Sequence, residues 1–246
     1  MKQVVLWGVL IGMLVILGQK LSAQEFKLEL NGYSANVSGD FTKNSMEDEG
    51  AGYVSEAFGS NLEFKYYYNH IGFGIRIDYV EYARDDDSYI RDLKNYLGIV
   101  DENYTMTENY FYSAYNLQFG LTYAYDLSRK FQLEPYFYFG LNVFISPIER
   151  AIYQKNGVTY TYRKDPVGYA GVGYVPGVKI LWKITKHFGL NLAMEYEGMA
   201  LSEETEEDII YSYNSFNKHR VDKAYNPASF NIGLGLTFSF GKGLED

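Results

Sequence analysis

Cysteine is absent from this chain of 246 residues. That excludes disulfides, thiolate metal centres and a lipid anchor attached at a cysteine. Histidine occurs three times and proline five, so no Pro-rich linker divides the chain and acid–base chemistry has few groups to draw on. Basic residues are outnumbered by acidic ones, 22 to 31, for a formal net charge of −9. A polyanionic partner such as nucleic acid is therefore disfavoured. No HExxH, Gly-x-Ser-x-Gly or phosphate-cradling glycine loop occurs, and these are the short motifs that would announce hydrolytic or nucleotide chemistry.

Long apolar runs are missing too, with one exception. Val4 to Leu17 is apolar, follows Lys2, and leads to Leu21-Ser22-Ala23. A basic start, a short apolar stretch and a small residue at the cut describe a secretory signal peptide over residues 1–23. The run is too short for a membrane helix, which needs about 20 apolar residues. Without Lys2 and Lys20 the net charge becomes −11 over residues 24–246.

What the chain has in abundance is aromatic residues: 18% of the total, with 26 tyrosines. They follow a period of two. From Phe111 to Tyr125, the residues Phe111, Tyr115, Leu117, Phe119, Leu121, Tyr123 and Tyr125 alternate with Ala114, Asn116, Gln118, Gly120, Thr122 and Ala124. After Asp126 to Lys130 the alternation resumes through Phe131, Leu133, Phe137, Phe139, Leu141 and Val143. This describes two strands, each with an oily face and a wet face.

Six more stretches of this kind make eight in all. They begin near Phe26, Phe58, Ile71, Tyr174, Phe188 and Phe230. In the first the phase blurs near Gly32, which is expected to mark a bulge. Short joints near residues 69, 128 and 186 alternate with long ones centred near 47, 96, 158 and 212. An up-and-down antiparallel sheet then has its short turns and both termini at one end, and its long loops at the other. Within the long segments, Ile90, Leu93 and Leu97 predict a helix capped by Asp87 or Ser88 and ended by Gly98. Asn156-Gly157 predicts a hairpin.

The expected fold is therefore all-β, an eight-stranded antiparallel up-and-down transmembrane β-barrel over 24–246. A soluble lipocalin-like carrier has the same strand count but turns its apolar set inward. Small residues such as Gly120, Gly140, Gly233 and Gly235 lie in the polar set, where they suit a crowded interior better than a solvent face. Glu63, Lys65, Arg76, Asp78, Glu134, Lys179, Lys183 and Glu195 also belong to that set. They are expected to form a lumen network of mixed sign, because an unpaired buried charge is costly. Phe119, Leu121, Phe137, Phe139, Ile180, Leu192, Leu234 and Leu236 are expected to face lipid. At eight strands the interior is just wide enough for side chains to fill it, so a plugged barrel is favoured over a narrow channel.

The eight strands, the Leu133 to Gly140 segment and the closing Phe230 to Phe240 strand resemble the OmpX/OmpA-like outer-membrane β-barrel ("porin family") proteins of Gram-negative bacteria. The tyrosine content is most similar to members from Bacteroidetes. The resemblance implies outer-membrane localisation with periplasmic termini, contact with outer-membrane lipid and lipopolysaccharide, and long loops facing outward. It carries no catalytic motif and no cofactor. A non-enzymatic role in envelope structure or surface adhesion is expected, through an extracellular partner met by the loops. A loop-borne hydrolase would need His219 with Ser212, Ser215 or Asp222. The acidic runs Asp85-Asp86-Asp87 and Glu203 to Asp208 read as solvated loops rather than a metal site, since EF-hand spacing is absent.

Overall fold

The computed structural model describes residues 24–45, 48, 50–99, 104–109, 111–213 and 215–241. The expected signal peptide lies outside the described residues. In chain order come β1 (Gln24–Ser38), β2 (Val54–Tyr68), β3 (Ile71–Arg84), the helix α1 (Asp86–Leu97) and β4 (Tyr104–Asn109). Next are β5 (Tyr112–Tyr123), the short β6 (Tyr125–Asp126), β7 (Phe131–Ile145), β8 (Glu149–Lys155) and β9 (Val158–Lys164). β10 (Gly168–Lys183), β11 (Phe188–Leu201), β12 (Glu204–Ser212), β13 (Ser215–Lys223) and β14 (Ala228–Gly241) complete the chain.

β1, β2, β3, β5, β7, β10, β11 and β14 form a closed antiparallel ring, with β14 against β1 and β10 against β7 closing it. Closure matters because no edge is left with unpaired backbone groups. The short turns lie where the sequence places them. The β2–β3 turn pivots on Asn69 at φ 55°, a left-handed conformation that asparagine tolerates.

The barrel has two tiers of opposite polarity. In the lower tier, toward the short turns, the apolar rows point out: Phe119 is 50% exposed, Phe139 61% and Leu234 70%. Leu121, Phe137, Ile180 and Leu236 are exposed with them, and Leu192 is half-buried on the same face. Inside lie Lys27, Glu29, Glu63, Lys65, Arg76 and Glu134, all buried. This excludes the lipocalin-like arrangement. On β3 the outward apolar row runs from Ile71 to Tyr79, eight steps, or roughly 20 Å along the axis at a tilt near 40°. Aromatic pairs bound it. Tyr79–Tyr115 and Tyr174–Tyr196 sit above, while Phe26–Tyr66, Phe188–Phe238 and Phe131–Trp182 sit below.

Above Tyr79 the polarity inverts. Tyr33, Ala35, Val37, Ala57, Val80, Tyr82, Tyr112, Ala114, Phe144 and Tyr169 now point inward and pack as one core, while Ser34, Asn36, Glu56 and Glu81 point out. This explains the blurred phase at Gly32. β1 pairs in unbroken register from Glu25 to Ser38 with β14, and no bulge is present. The side chains keep alternating; what changes is the chemistry each face must meet.

Leu234→Arg should therefore destabilise the protein by about 2–4 kcal/mol if that face meets hydrocarbon at mid-depth. Asn231→Ser, which the sequence pattern alone would rate as mild, should also be costly. Asn231 is fully buried and its Nδ2 donates to Glu195 at 3.2 Å, so losing it should cost about 1.5–3 kcal/mol. Urea unfolding from lipid vesicles measures both.

Candidate functional site

Two parts of the molecule carry chemistry: the lumen and the outer end. In the lumen, Arg76 on β3 makes a two-pronged contact with Glu195 on β11, at 2.6 and 2.7 Å, and a third bond to Asp78 at 2.8 Å. Such forked pairing is the strongest way to hold a carboxylate. Lys179 reaches across from β10 to Glu29 and, at 3.1 Å, to Glu63. Lys65 sits between Glu29 at 3.0 Å, Glu63 at 2.9 Å and Glu134 at 3.4 Å. Lys27 closes the lattice on Glu134 and donates to Gln132 at 2.5 Å.

Tyrosine hydroxyls add further donors to the lattice carboxylates. Tyr136 donates to Glu195 at 2.6 Å, Tyr67 to Glu134 at 2.9 Å and Tyr138 to Glu63 at 3.3 Å. Their rings need space that glycine provides. A Cβ at Gly74 would collide with the Tyr138 hydroxyl, and one at Gly120 would press into the same ring. The interior is thus packed side chain against side chain.

Of the eight charges singled out in the sequence, Glu63, Lys65, Arg76, Asp78, Glu134, Lys179 and Glu195 meet in this lattice. Lys183 does not. It ends β10 at the short-turn rim, a third exposed, with its Nζ 2.8 Å from Asp126. Lys27, Glu29 and Glu197 belong to the interior and were not singled out. The alternation of β1 already placed Lys27 and Glu29 on the inner face, but nothing local marks their partners, which lie from 36 to 150 residues away. Glu197 is held by amides, accepting from Asn116 at 2.9 Å and Asn231 at 3.5 Å.

The upper tier adds a second seal. A single 3₁₀ turn at Asp40–Thr42 drives Phe41 into the barrel mouth, where it is fully buried. Its ring centroid lies 5.1–5.5 Å from those of Tyr82, Tyr112, Phe144 and Tyr225, edge-on to each. Gly52 is required beside it, because a Cβ there would overlap the Phe41 ring.

Beyond the plug, the long loops are not separate. β13, β12, β9, β8 and β4 join in that order into a five-stranded antiparallel sheet drawn from three loops. The Asn156-Gly157 hairpin is its β8–β9 pair. α1 covers it: Asp85 caps the helix by accepting from Ser88 N, and Gly98 ends it in the left-handed region. The cap residue is thus Asp85, just before the positions the sequence suggested. Tyr89, Leu93 and Leu97 pack with Ala151, Tyr153 and Tyr162 of the sheet and Tyr53 of the first loop.

Below this cap is a cavity of about 290 Å³, lined by Tyr112, Tyr162, Lys164, Glu206, Asp208 and Lys223 among others. Its charges are satisfied at close range. Lys164 pairs with Glu206 at 2.6 Å, and Glu206 also accepts from Tyr169 at 2.6 Å. Asp208 accepts from Tyr162 at 3.0 Å, and Lys223 donates to the Asp48 carbonyl at 2.8 Å. Burial opposes the charge on Lys164, but Glu206 and then Glu149 outweigh it and hold its pKa well above the ordinary lysine value. Burial likewise opposes ionised Glu206, yet Lys164 prevails and lowers its pKa. Asp208 is raised by burial against Lys164 and the Tyr162 bond. Lys223 is lowered by burial and then by repulsion from Lys164.

The residues of the loop hydrolase do not assemble. Ser212 and Ser215 bond each other at 2.8 Å at the hairpin end, and Asp222 accepts from Thr205 at 2.7 Å. His219 stands opposite Asp208 in the sheet, four residues from Ser215, or roughly 13 Å along the strand. The acidic runs are also engaged. Asp85 caps α1, Asp86 pairs with Arg84 at 3.1 Å, and Glu207 faces out to Lys218 at 2.5 Å and Arg220 at 2.9 Å.

Removing the guanidinium by Arg76→Met would leave Glu195 and Asp78 buried without a cation. Unfolding free energy in lipid should fall by about 3–5 kcal/mol. The cap has its own pH response. The contribution of Glu206 is complete above its unfolded pKa and lost as pH falls through its lower folded value, whereas Asp208, with its raised pKa, is relieved by protonation. The cap should therefore hold from neutrality to about pH 5 and open only below about pH 4. Hydrogen exchange of the Tyr162, Lys164 and Glu206 amides reads this, and opening already near pH 6 would contradict it.

No family model matches the chain, and no curated protein matches it. Solved structures do resemble it. Outer membrane protein OprG from Pseudomonas aeruginosa is 16% identical, with 89% of this chain and 98% of that one covered and a TM-score of 0.44. A major outer membrane protein from Thermus thermophilus is 15% identical over 89% of this chain and 100% of its own, with a TM-score of 0.47. The attachment invasion locus protein Ail of Yersinia pestis is 12% identical over 89% and 99%, with a TM-score of 0.44. The identities and TM-scores are low, and the closed antiparallel β-barrel rests on this chain's own strand pairing.

Proposed function

We propose that this protein is a non-conducting outer-membrane anchor that displays a rigid cap for contact with an extracellular partner. The observation that carries the reading is the double closure beneath a folded outer surface. The ion lattice fills the lower lumen, the Phe41 cluster fills the upper one, and three loops are hydrogen-bonded into one sheet. A channel needs an open path, and a carrier needs an empty interior. The termini then lie in the periplasm, the apolar belt meets outer-membrane phospholipid and lipopolysaccharide, and no catalytic role is assigned.

The contact surface is best supported at the β12–β13 hairpin. Tyr213 is 99% exposed, Phe216 66% and Tyr211 42%, an aromatic group at the far end of a rigid ribbon. β13 is the last strand of the sheet on that side, and its outer edge has no strand partner among the described residues. Edge pairing with aromatic anchors is a recurrent mode of peptide recognition.

Reconstituted in planar bilayers, the protein should give no single-channel steps, and steady conductance would reject the sealed-anchor reading. Cells displaying the protein should bind extracellular matrix or a neighbouring cell surface more than cells lacking it. The Tyr213→Ser/Phe216→Ser variant should lower that binding roughly tenfold, as loss of an aromatic hot spot does. Equal binding by all three cell types would remove the adhesive role.

A further inference from the structure

The short-turn end carries a charge distribution unlike the rest of this acidic chain. A cleft of about 370 Å³ opens there, lined by Arg129, Lys130, Lys183 and Lys186 from two adjacent turns. Lys183 is paired with Asp126. Arg129, Lys130 and Lys186 are exposed and have no carboxylate within 4.0 Å among the described residues. Glu25 is the one acidic group in the lining.

The cleft also straddles the rim. Leu181, Gly189 and Thr237 line it from the barrel interior, whereas Ile184 and Phe188 belong to the outward apolar face. Just inside the rim, Phe131 and Trp182 stack with centroids 6.5 Å apart, both exposed to the outside. Aromatic rings of this kind sit at headgroup level in membrane barrels. The unpaired cations therefore stand at the height of the phosphates of the nearer leaflet, with an apolar wall running from them toward the acyl region.

From this geometry, and resting on the outer-membrane reading above, we infer that the cleft is a binding site for an anionic glycerophospholipid of the periplasmic leaflet. The phosphate lies among Arg129, Lys130 and Lys186, and the acyl chains lie over Ile184, Phe188 and Trp182. Charge complementarity selects the headgroup, since a zwitterionic lipid brings its own cation to an already basic cleft. The apolar wall selects a lipid over a free phosphate.

The test is lipid retention by the whole protein in nanodiscs of mixed phosphatidylglycerol and phosphatidylcholine, read by native mass spectrometry after release into detergent. The wild type should retain phosphatidylglycerol roughly tenfold over phosphatidylcholine. The Arg129→Gln/Lys130→Gln/Lys186→Gln variant should retain the two equally. A control with Lys43→Gln/Arg91→Gln/Lys94→Gln at the opposite end should keep the preference. An inserted wild type without preference, or an unchanged triple variant, overturns the inference alone. Displacement of the lipid by millimolar inorganic phosphate also overturns it, in favour of a plain anion site. A chain that fails to enter the nanodisc refutes the membrane reading as well.

Discussion

A guanidinium or ammonium inside a cylinder wrapped in hydrocarbon has no bulk water to turn to. It must find carboxylates within a few ångströms or leave the barrel unstable. Everything below Tyr79 follows from that requirement. Arg76 is committed to Glu195 and Asp78, while Lys27, Lys65 and Lys179 share Glu29, Glu63 and Glu134. Because the partners come from β1, β2, β3, β7, β10 and β11, the lattice ties the ring across its diameter. Backbone ladders close the wall, and the charges fix its interior.

The upper tier solves the opposite problem. Once the strands rise above the apolar belt, water lies outside and the interior is the only dry place. The same alternating backbone then carries an aromatic core inward, centred on Phe41. A single cylinder is thus apolar on its outer face at one end and apolar in its interior at the other. The cap sheet and α1 extend this second end, so the outer surface is held by a core of its own.

How much of this was legible in the sequence depends on how local each signal is. Leu117, Phe119 and Leu121 report their strand by spacing alone, and so do the turn at Asn69 and the hairpin at Asn156-Gly157. The lumen charges were legible only in part: most sit on the inner face of their own strand, but Lys183 ends at the rim, and Lys27, Glu29 and Glu197 were not singled out. The pairing was not legible, since Arg76 and Glu195 are separated by more than a hundred residues. The inversion near Gly32 read as a defect because period-two logic assumes one environment per face along the whole strand. The cap sheet was the least visible part. β12 pairs with β9 and β4 with β8 across loops far apart in the chain, and nothing in either segment names its partner. The polar and acidic stretch from Glu203 to Asp208 looked like solvated loop, yet Glu206 and Asp208 turn inward while Glu207 turns out.

The joining of three loops into one sheet also constrains how the exterior can diverge. Outer loops on a rigid barrel ordinarily accept insertions and substitutions one at a time. Here a change of length in the segment carrying β9 would shift its ladder with β12 and β8 together. A change of shape on such a surface would require coordinated replacement of several segments. Single changes would be confined to outward side chains and to the ribbon end around Tyr213.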